Sequence, residues 1–96
     1  MPVFHLFPKP EGLADPNWQA TVLKVRCWVE ADDEAQARQR IAYATAIAVE
    51  HEPGRPVRTS PWKNGELTEC VEDVQPPGQI GYGVIYTEEG RTITIK

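Results

Sequence analysis

The residues best suited to binding lie in one segment, where cations and an aromatic side chain occur together. Residues 52–65 read EPGRPVRTSPWKNG and contain Arg55, Arg58, Trp62 and Lys63. The prolines and glycines predict a loop, and long loops often carry binding residues. A tryptophan beside cations can stack on a nucleic-acid base while the cations contact phosphates, or it can hold an acidic peptide. The competing interpretation is that Trp62 packs against the edge of the core while the cations are solvated.

Isolated histidines and cysteines are the candidate ligands for a transition metal: His5, Cys27, His51 and Cys70. Zinc ligands usually occur in closely spaced pairs, and none of these four has a partner at such a spacing. We therefore predict no metal site and no cofactor. We expect both cysteines to be free thiols in a reducing compartment.

Cys70 is the strongest candidate nucleophile, but its neighbours in the sequence oppose that role. Thiol catalysis needs a thiolate in an electropositive, partly exposed site, whereas Glu66, Glu69, Glu72 and Asp73 surround Cys70. Negative charge raises the pKa of a thiol. The sequence therefore predicts no catalytic residue and no enzymatic activity.

Size and charge narrow the function classes. The chain has 96 residues, a net charge of -4 and a pI near 5.1, which is typical of one acidic domain. Negative charge opposes a general role in binding nucleic acid or anionic membranes. A run of about 20 apolar residues, which a membrane-spanning helix needs, is not present. The first residues, MPVFHLFPKPEG, do not resemble a signal peptide, so we expect a cytoplasmic protein.

The middle of the chain predicts a strand followed by a helix. Apolar residues at Leu23, Val25, Cys27 and Val29 alternate with polar or aromatic ones. This alternation indicates a strand with one buried face, which we place at residues 18–31.

The helix is expected at residues 32–51. Asp33 and Gln36 have the spacing of a capping box, and apolar residues, mostly alanines, then recur along one helical stripe. A stripe of alanines lets a helix lie close to a sheet, while Arg38, Gln39 and Arg40 should point largely away from the stripe. The larger side chains of the stripe are Ile41, Ile47 and Val49.

The remaining segments predict an N-terminal arm and three more strands. Residues 1–17 contain four prolines, which favour an extended arm that closes a sheet edge, with a short edge strand at Val3 to Phe7. Residues 66–74 match helical spacing, but β-branched residues between two breakers favour a strand. Residues 79–87 and 91–96 form a predicted hairpin, with Gly90 at the left-handed position of its turn.

Trp28 does not fit a strand with one buried face. It shares a face with Lys24 and Arg26, opposite the predicted core. Either the N-terminal arm or a second subunit should therefore cover it. The terminal TITIK segment, residues 92–96, offers a strand edge for pairing, and we predict a homodimer.

Short pieces of the chain resemble small uncharacterised proteins of bacterial genomes. These pieces are DPNW, VLKVRCWVEADDEAQAR, SPWKNG and the later Cys70, and they span Asp15 to Val74. The resemblance implies a compact α+β domain. It implies no activity and no functional residue.

Together these observations predict an α+β fold with a four-stranded, mostly antiparallel sheet and one long helix packed on one face. The order is β-α-β-β-β after the extended arm. The first functional prediction is a small non-enzymatic protein-interaction module that binds a protein partner or a second copy. Its predicted binding residues are Arg55, Arg58, Trp62 and Lys63 of the basic loop, and Trp28 of the sheet. The alternative is a nucleic-acid-associated accessory protein that uses the same loop, and an enzyme of undetected type is third.

Overall fold

A computed structural model describes residues 2–47, 59–72, 75–76, 78 and 80–95. These residues form one α-helix and five strands: β1 (Val3–Pro8), β2 (Cys27–Glu30), α1 (Glu34–Thr45), β3 (Thr68–Glu72), β4 (Val84–Thr87) and β5 (Thr92–Thr94). Short 3-10 helices lie at Pro10–Gly12, Pro16–Ala20 and Pro61–Lys63. The strands form one sheet in the order β3-β1-β2-β4-β5, and all neighbours are antiparallel. The predicted α+β class is confirmed, but the sheet has five strands rather than four.

The additional strand is β1, which lies in the segment predicted as an extended arm with a short edge strand. It pairs with β2 on one side and with β3 on the other, so it lies inside the sheet and does not close an edge. The prolines do not prevent this pairing, because Pro2 precedes the strand and Pro8 ends it. The residues between them keep their backbone amides for hydrogen bonds.

The predicted strand at residues 18–31 is shorter in the structure. Only Cys27–Glu30 is a strand, and Pro16–Ala20 forms a 3-10 turn. Asp15 begins that turn, since its side-chain Oδ1 accepts a hydrogen bond of 2.8 Å from the Asn17 amide. The alternation nevertheless identifies the buried face correctly, because Leu23, Cys27 and Val29 are all in the core.

The helix begins where the sequence predicts and ends earlier. Asp33 is its N-cap and accepts a hydrogen bond of 2.7 Å from the Gln36 amide. At the other end, Thr45 Oγ1 contacts Thr21 Oγ1 at 2.9 Å, and Thr21 forms an antiparallel bridge with Ala46, whose backbone is extended. Contact with this segment ends the helix before Ile47, which is exposed rather than buried. Residues 48–51 of the predicted helix lie outside the described residues.

The C-terminal third agrees with its predicted elements at shorter lengths. The ambiguous segment 66–74 contains the strand β3, and β4 and β5 form the predicted hairpin. Gly90 lies in the turn with a φ of +82°, in the left-handed region that glycine adopts without a Cβ clash.

The core lies between α1 and one face of the sheet, which we call the inner face. Leu6, Val29 and Ile85 contribute from three neighbouring strands, and Ile41 contributes from α1. Trp62 completes this cluster from the loop side. Among the described residues, no helix has both the length and the apolar character that a membrane crossing requires.

Candidate functional site

Trp62, the aromatic residue of the predicted binding loop, lies in the core. Its side chain is 0% exposed, and its indole Nε1 donates a hydrogen bond of 3.0 Å to the Leu23 carbonyl. Its ring meets that of Trp18 edge to face, with 5.6 Å between the centroids. Both faces of the side chain are therefore enclosed by protein, so Trp62 presents no accessible surface to a partner. Its competing interpretation, packing against the core, agrees with the structure.

The three cations of the loop differ in whether the structure describes them. Arg55 and Arg58 lie outside the described residues, and their binding role stays a prediction. Lys63 is exposed at the end of the Pro61–Lys63 turn, and it lines a groove between that turn and α1. The structure thus separates Lys63, which faces an open surface, from its buried neighbour Trp62.

The groove has a volume of about 610 Å³ and is bounded by α1, residues 59–63 and the residue after β5. Its apolar lining comes from Ala42, Tyr43, Ala46 and Ile95. Ala42 and Tyr43 belong to α1 and Ala46 directly follows it, so these three residues form one wall of the groove at the C-terminal end of the helix. Lys63 and Arg40 line the same groove and supply positive charge.

Tyr43 is the most exposed large apolar side chain at this groove, with 68% of its surface accessible. Ile47 and Val22 are also exposed at the same end of α1, where the Val22 amide donates a hydrogen bond of 2.9 Å to the Thr45 carbonyl. Sequence reasoning missed Tyr43. The available signal was an aromatic residue that falls outside the buried stripe of an alanine-rich helix.

The two arginines of α1, which the sequence predicts to point largely away from the apolar stripe, both make tertiary contacts. Arg40 donates a hydrogen bond to the Tyr82 carbonyl, and its guanidinium carbon lies 4.0 Å from the centroid of the Tyr82 ring. Arg38 Nη1 donates to Thr68 Oγ1 at 2.6 Å and to the Trp62 carbonyl at 3.1 Å. These contacts join α1 to β3, to the Pro61–Lys63 turn and to the segment before β4.

Trp28, the second predicted binding residue, is 8% exposed. The His5 ring stacks on it with 4.5 Å between the centroids and 6° between the planes, and Tyr86 meets it edge to face at 5.9 Å. His5 and Tyr86 are its paired neighbours on β1 and β4. The cover predicted from an arm or a second subunit is thus provided in part by β1, as a neighbouring strand of the same sheet, together with β4.

His5 and Trp28 lie on the outer face of the sheet, opposite α1, and both carry a buried nitrogen. Within the described part of the chain, His5 Nε2 and Trp28 Nε1 have no hydrogen-bond partner. Burial lowers the pKa of His5, the nearby Arg26 lowers it further, and Glu88 opposes the shift. The imidazole is therefore neutral near pH 7.

The two cysteines are free thiols on the inner face. Both lie opposite Leu6, Cys27 on β2 and Cys70 on β3, so two strand spacings, or roughly 9.6 Å, separate their Cα atoms. A disulfide needs less than about 7 Å. Burial raises the pKa of both thiols, that of Cys70 to about 11, so Cys70 is protonated near neutral pH. Among the described residues, no three metal-binding side chains come together.

Comparison with known proteins gives no family for this chain. No protein-family model, no curated protein and no solved structure matches it.

Proposed function

We propose that this chain is a small non-enzymatic protein-interaction module, which binds an apolar, acidic segment of a partner protein in the groove beside α1. The observation that carries this proposal is the exposed Tyr43 on an apolar wall. Isolated exposed apolar residues are normal, but a group of them beside a concave surface is typical of an interaction site.

The apolar part of the groove suits a protein segment. Tyrosine is enriched among the residues that dominate binding energy, because it buries a large area at a small cost in side-chain entropy and keeps a polar tip. The small side chains of Ala42 and Ala46 lie beside it and leave room for the side chains of a partner. Ile95 provides a second apolar surface across the groove.

Charge favours an acidic partner segment. Lys63 and Arg40 line the groove of a chain whose net charge is -4. Arg40 is held against Tyr82, so its charge has a fixed position in the groove wall, whereas Lys63 is exposed. Complementary charge mainly raises the association rate and the selectivity for a partner.

Synthetic peptides can test this proposal without knowledge of the natural partner. One peptide of about 12 residues would carry leucine and phenylalanine among glutamates, and its matched control would carry lysines at the glutamate positions. We expect the acidic peptide to shift the NMR amide signals of Ala42, Tyr43 and Ala46 and the lysine peptide to shift them less. Equal shifts from both peptides, or no shift from either, would contradict the proposal.

A pair of variants tests the location of binding. Tyr43→Glu should abolish the shifts caused by the acidic peptide, because it places a like charge on the apolar wall. Val71→Glu introduces the same charge at an exposed position on the outer face of β3 and should leave them unchanged. Binding that survives Tyr43→Glu would place the peptide elsewhere.

The burial of Trp62 counts against the nucleic-acid alternative, because a ring enclosed in the core cannot stack on a base. Steep salt dependence of binding to a single-stranded oligonucleotide would revive it, because phosphate contacts release counterions. The protonated thiol of Cys70 supports the non-enzymatic proposal over thiol catalysis.

A further inference from the structure

The hydrogen bonds between β4 and β5 determine which backbone groups of β5 face outward. The Ile95 amide donates to the Gly83 carbonyl at 2.8 Å, and the Thr87 amide donates to the Arg91 carbonyl at 2.9 Å. In an antiparallel pair, residues alternate between bonding to the neighbour and pointing away from it. Because Arg91 and Ile95 bond towards β4, the N–H and C=O groups of Thr92 and Thr94 point away from the sheet.

Among the described residues, this outward edge shows no feature that blocks pairing. Within the described part of the chain, Thr92 and Thr94 make no backbone hydrogen bond along their outer side. Both side chains are exposed, and residues 92–95 contain no charge and no proline. Charged side chains, prolines and covering elements are the usual means by which proteins prevent pairing at a sheet edge.

We propose that β5 pairs with β5 of a second copy of this chain, in antiparallel orientation, to form a continuous ten-stranded sheet. The register follows from the outward groups: Thr92 opposes Thr94 of the second copy, and Thr94 opposes its Thr92. All four outward groups of each copy are then satisfied, in four hydrogen bonds across the interface. The two-fold axis passes between the two Ile93 residues.

The side chains suit this register. Each threonine faces a threonine on the outer face, and threonine pairs across strands are favourable. Ile93, which is partly buried against the core, meets its symmetry mate in a pair without hydrogen bonds, where side chains approach most closely. Directly opposed residues of an antiparallel pair point to the same face, so both α1 helices lie on one side of the dimer.

The dimer is independent of the proposed function, yet it would change how the groove works. Ile95 lines the groove and directly follows β5, so the two grooves lie beside the interface on the same face. A partner with two binding segments could then occupy both grooves and gain affinity from the second, intramolecular step.

Light scattering after size exclusion tests the dimer. At about 100 µM, where mass action favours association, we expect a mass that approaches twice the 10.8 kDa of one chain. Thr94→Pro removes an outward amide without removing a bond to β4, and proline is tolerated at a sheet edge. This variant should return the mass to 10.8 kDa.

A second variant keeps the test decisive if Thr94→Pro fails to fold. The double substitution Thr92→Lys and Thr94→Lys changes two exposed side chains and sets like charges opposite each other in the dimer. The double variant should also be monomeric. On the opposite edge strand, β3, Thr68→Lys is unsuitable as a control because Thr68 is buried. Glu72→Lys, at the exposed end of β3, is the matched control and should keep the dimer mass. A wild-type mass of 10.8 kDa, or a dimer that survives the double substitution, would overturn the proposal.

Discussion

At one edge of the sheet, β3 carries Glu69 and Glu72 and is bound to α1 through Arg38, whereas at the other edge β5 carries Thr92 and Thr94 and no charge. The outward carbonyl of Thr68 accepts a hydrogen bond of 3.2 Å from Arg38 Nη2, and the Thr68 amide donates to the Asn64 carbonyl at 3.1 Å. The β3 edge is therefore partly closed by its own chain. The difference between the edges indicates where a second strand can be added.

The two edges also differ in how they contact α1. Arg38, 11% exposed in its side chain, reaches β3 and the Trp62 carbonyl at once. On the β5 side, a groove separates α1 from Ile95. The closed edge is thus a stability element, and the open edge lies next to the surface that we assign to binding.

The largest effect on the free energy of unfolding is expected from Trp62→Ala, which removes a core side chain that packs beside the closed edge. Loss of a fully buried tryptophan typically costs about 3–5 kcal/mol, a large part of the roughly 5–14 kcal/mol expected for the whole domain. Urea denaturation followed by circular dichroism would measure the loss. The exposed neighbour supplies the control, since Lys63→Ala should change the free energy of unfolding by less than about 0.5 kcal/mol.

Arg38→Met should have the next largest effect. Methionine keeps the apolar stem, but the hydrogen bonds to Thr68 and to the Trp62 carbonyl are lost, at a cost of about 1.5–3 kcal/mol for bonds to a charged donor. Arg91→Met is the matched control at the open side, because Arg91 forms an exposed pair with Glu89 at 3.0 Å. Such pairs contribute about 1 kcal/mol at most. Equal losses in the two variants would remove the distinction between the edges.

Acid should destabilise the protein through His5, which lies on β1, the strand that joins the closed edge to the rest of the sheet. Burial, together with Arg26, lowers the pKa of His5 below its usual 6.5, so the unfolded chain binds a proton more readily than the folded one. The stabilising contribution of the neutral ring is complete above pH 6.5 and declines as the pH falls towards the pKa of the folded state. His5→Phe keeps an aromatic ring on Trp28 and should flatten this part of the stability curve. An unchanged curve would show that other groups cause the loss.

The smallest change in stability is expected when the closed edge is made to resemble the open one. Glu69→Thr with Glu72→Thr removes two exposed charges and should alter the free energy of unfolding by less than about 0.5 kcal/mol. In a Thr94→Pro background, however, this variant should associate through β3, and light scattering would detect the added mass. If it stays monomeric, Arg38 rather than the glutamates closes the β3 edge.

The sequence predicted the parts of the fold that depend on local patterns. The helix start at Asp33, the buried face of Leu23, Cys27 and Val29, and the turn at Gly90 all follow from spacing and backbone preference. The predictions from the sequence were wrong where tertiary contacts determine the secondary structure. β1 is an inner strand because both neighbours pair with it, and α1 stops at Thr45 because Thr21 bonds to it.

The candidate site was harder to predict for the same reason. Trp62 and Lys63 are adjacent in the sequence, yet one is buried and the other exposed, because a single 3-10 turn directs them to opposite sides. Tyr43 becomes a candidate only when the groove beside α1 is known. The edge at Thr92 and Thr94 was recognisable from its alternating sequence, but the direction of its backbone groups required the pairing with β4.

Amide hydrogen exchange measured by NMR at two protein concentrations tests the central claim, that β5 is the open edge and β3 the closed one. The amides of Thr92 and Thr94 face outward on β5. Directly before β3, the Leu67 carbonyl accepts a hydrogen bond from the Lys9 amide, so Leu67 bonds towards the β1 side. Because residues of a strand alternate in direction, the amides of Cys70 and Glu72 on β3 face outward. We predict that exchange at Thr92 and Thr94 slows as the concentration rises while exchange at Cys70 and Glu72 does not change. Exchange at Thr92 and Thr94 that is independent of concentration, or slowing at Cys70 and Glu72 instead, would contradict the account.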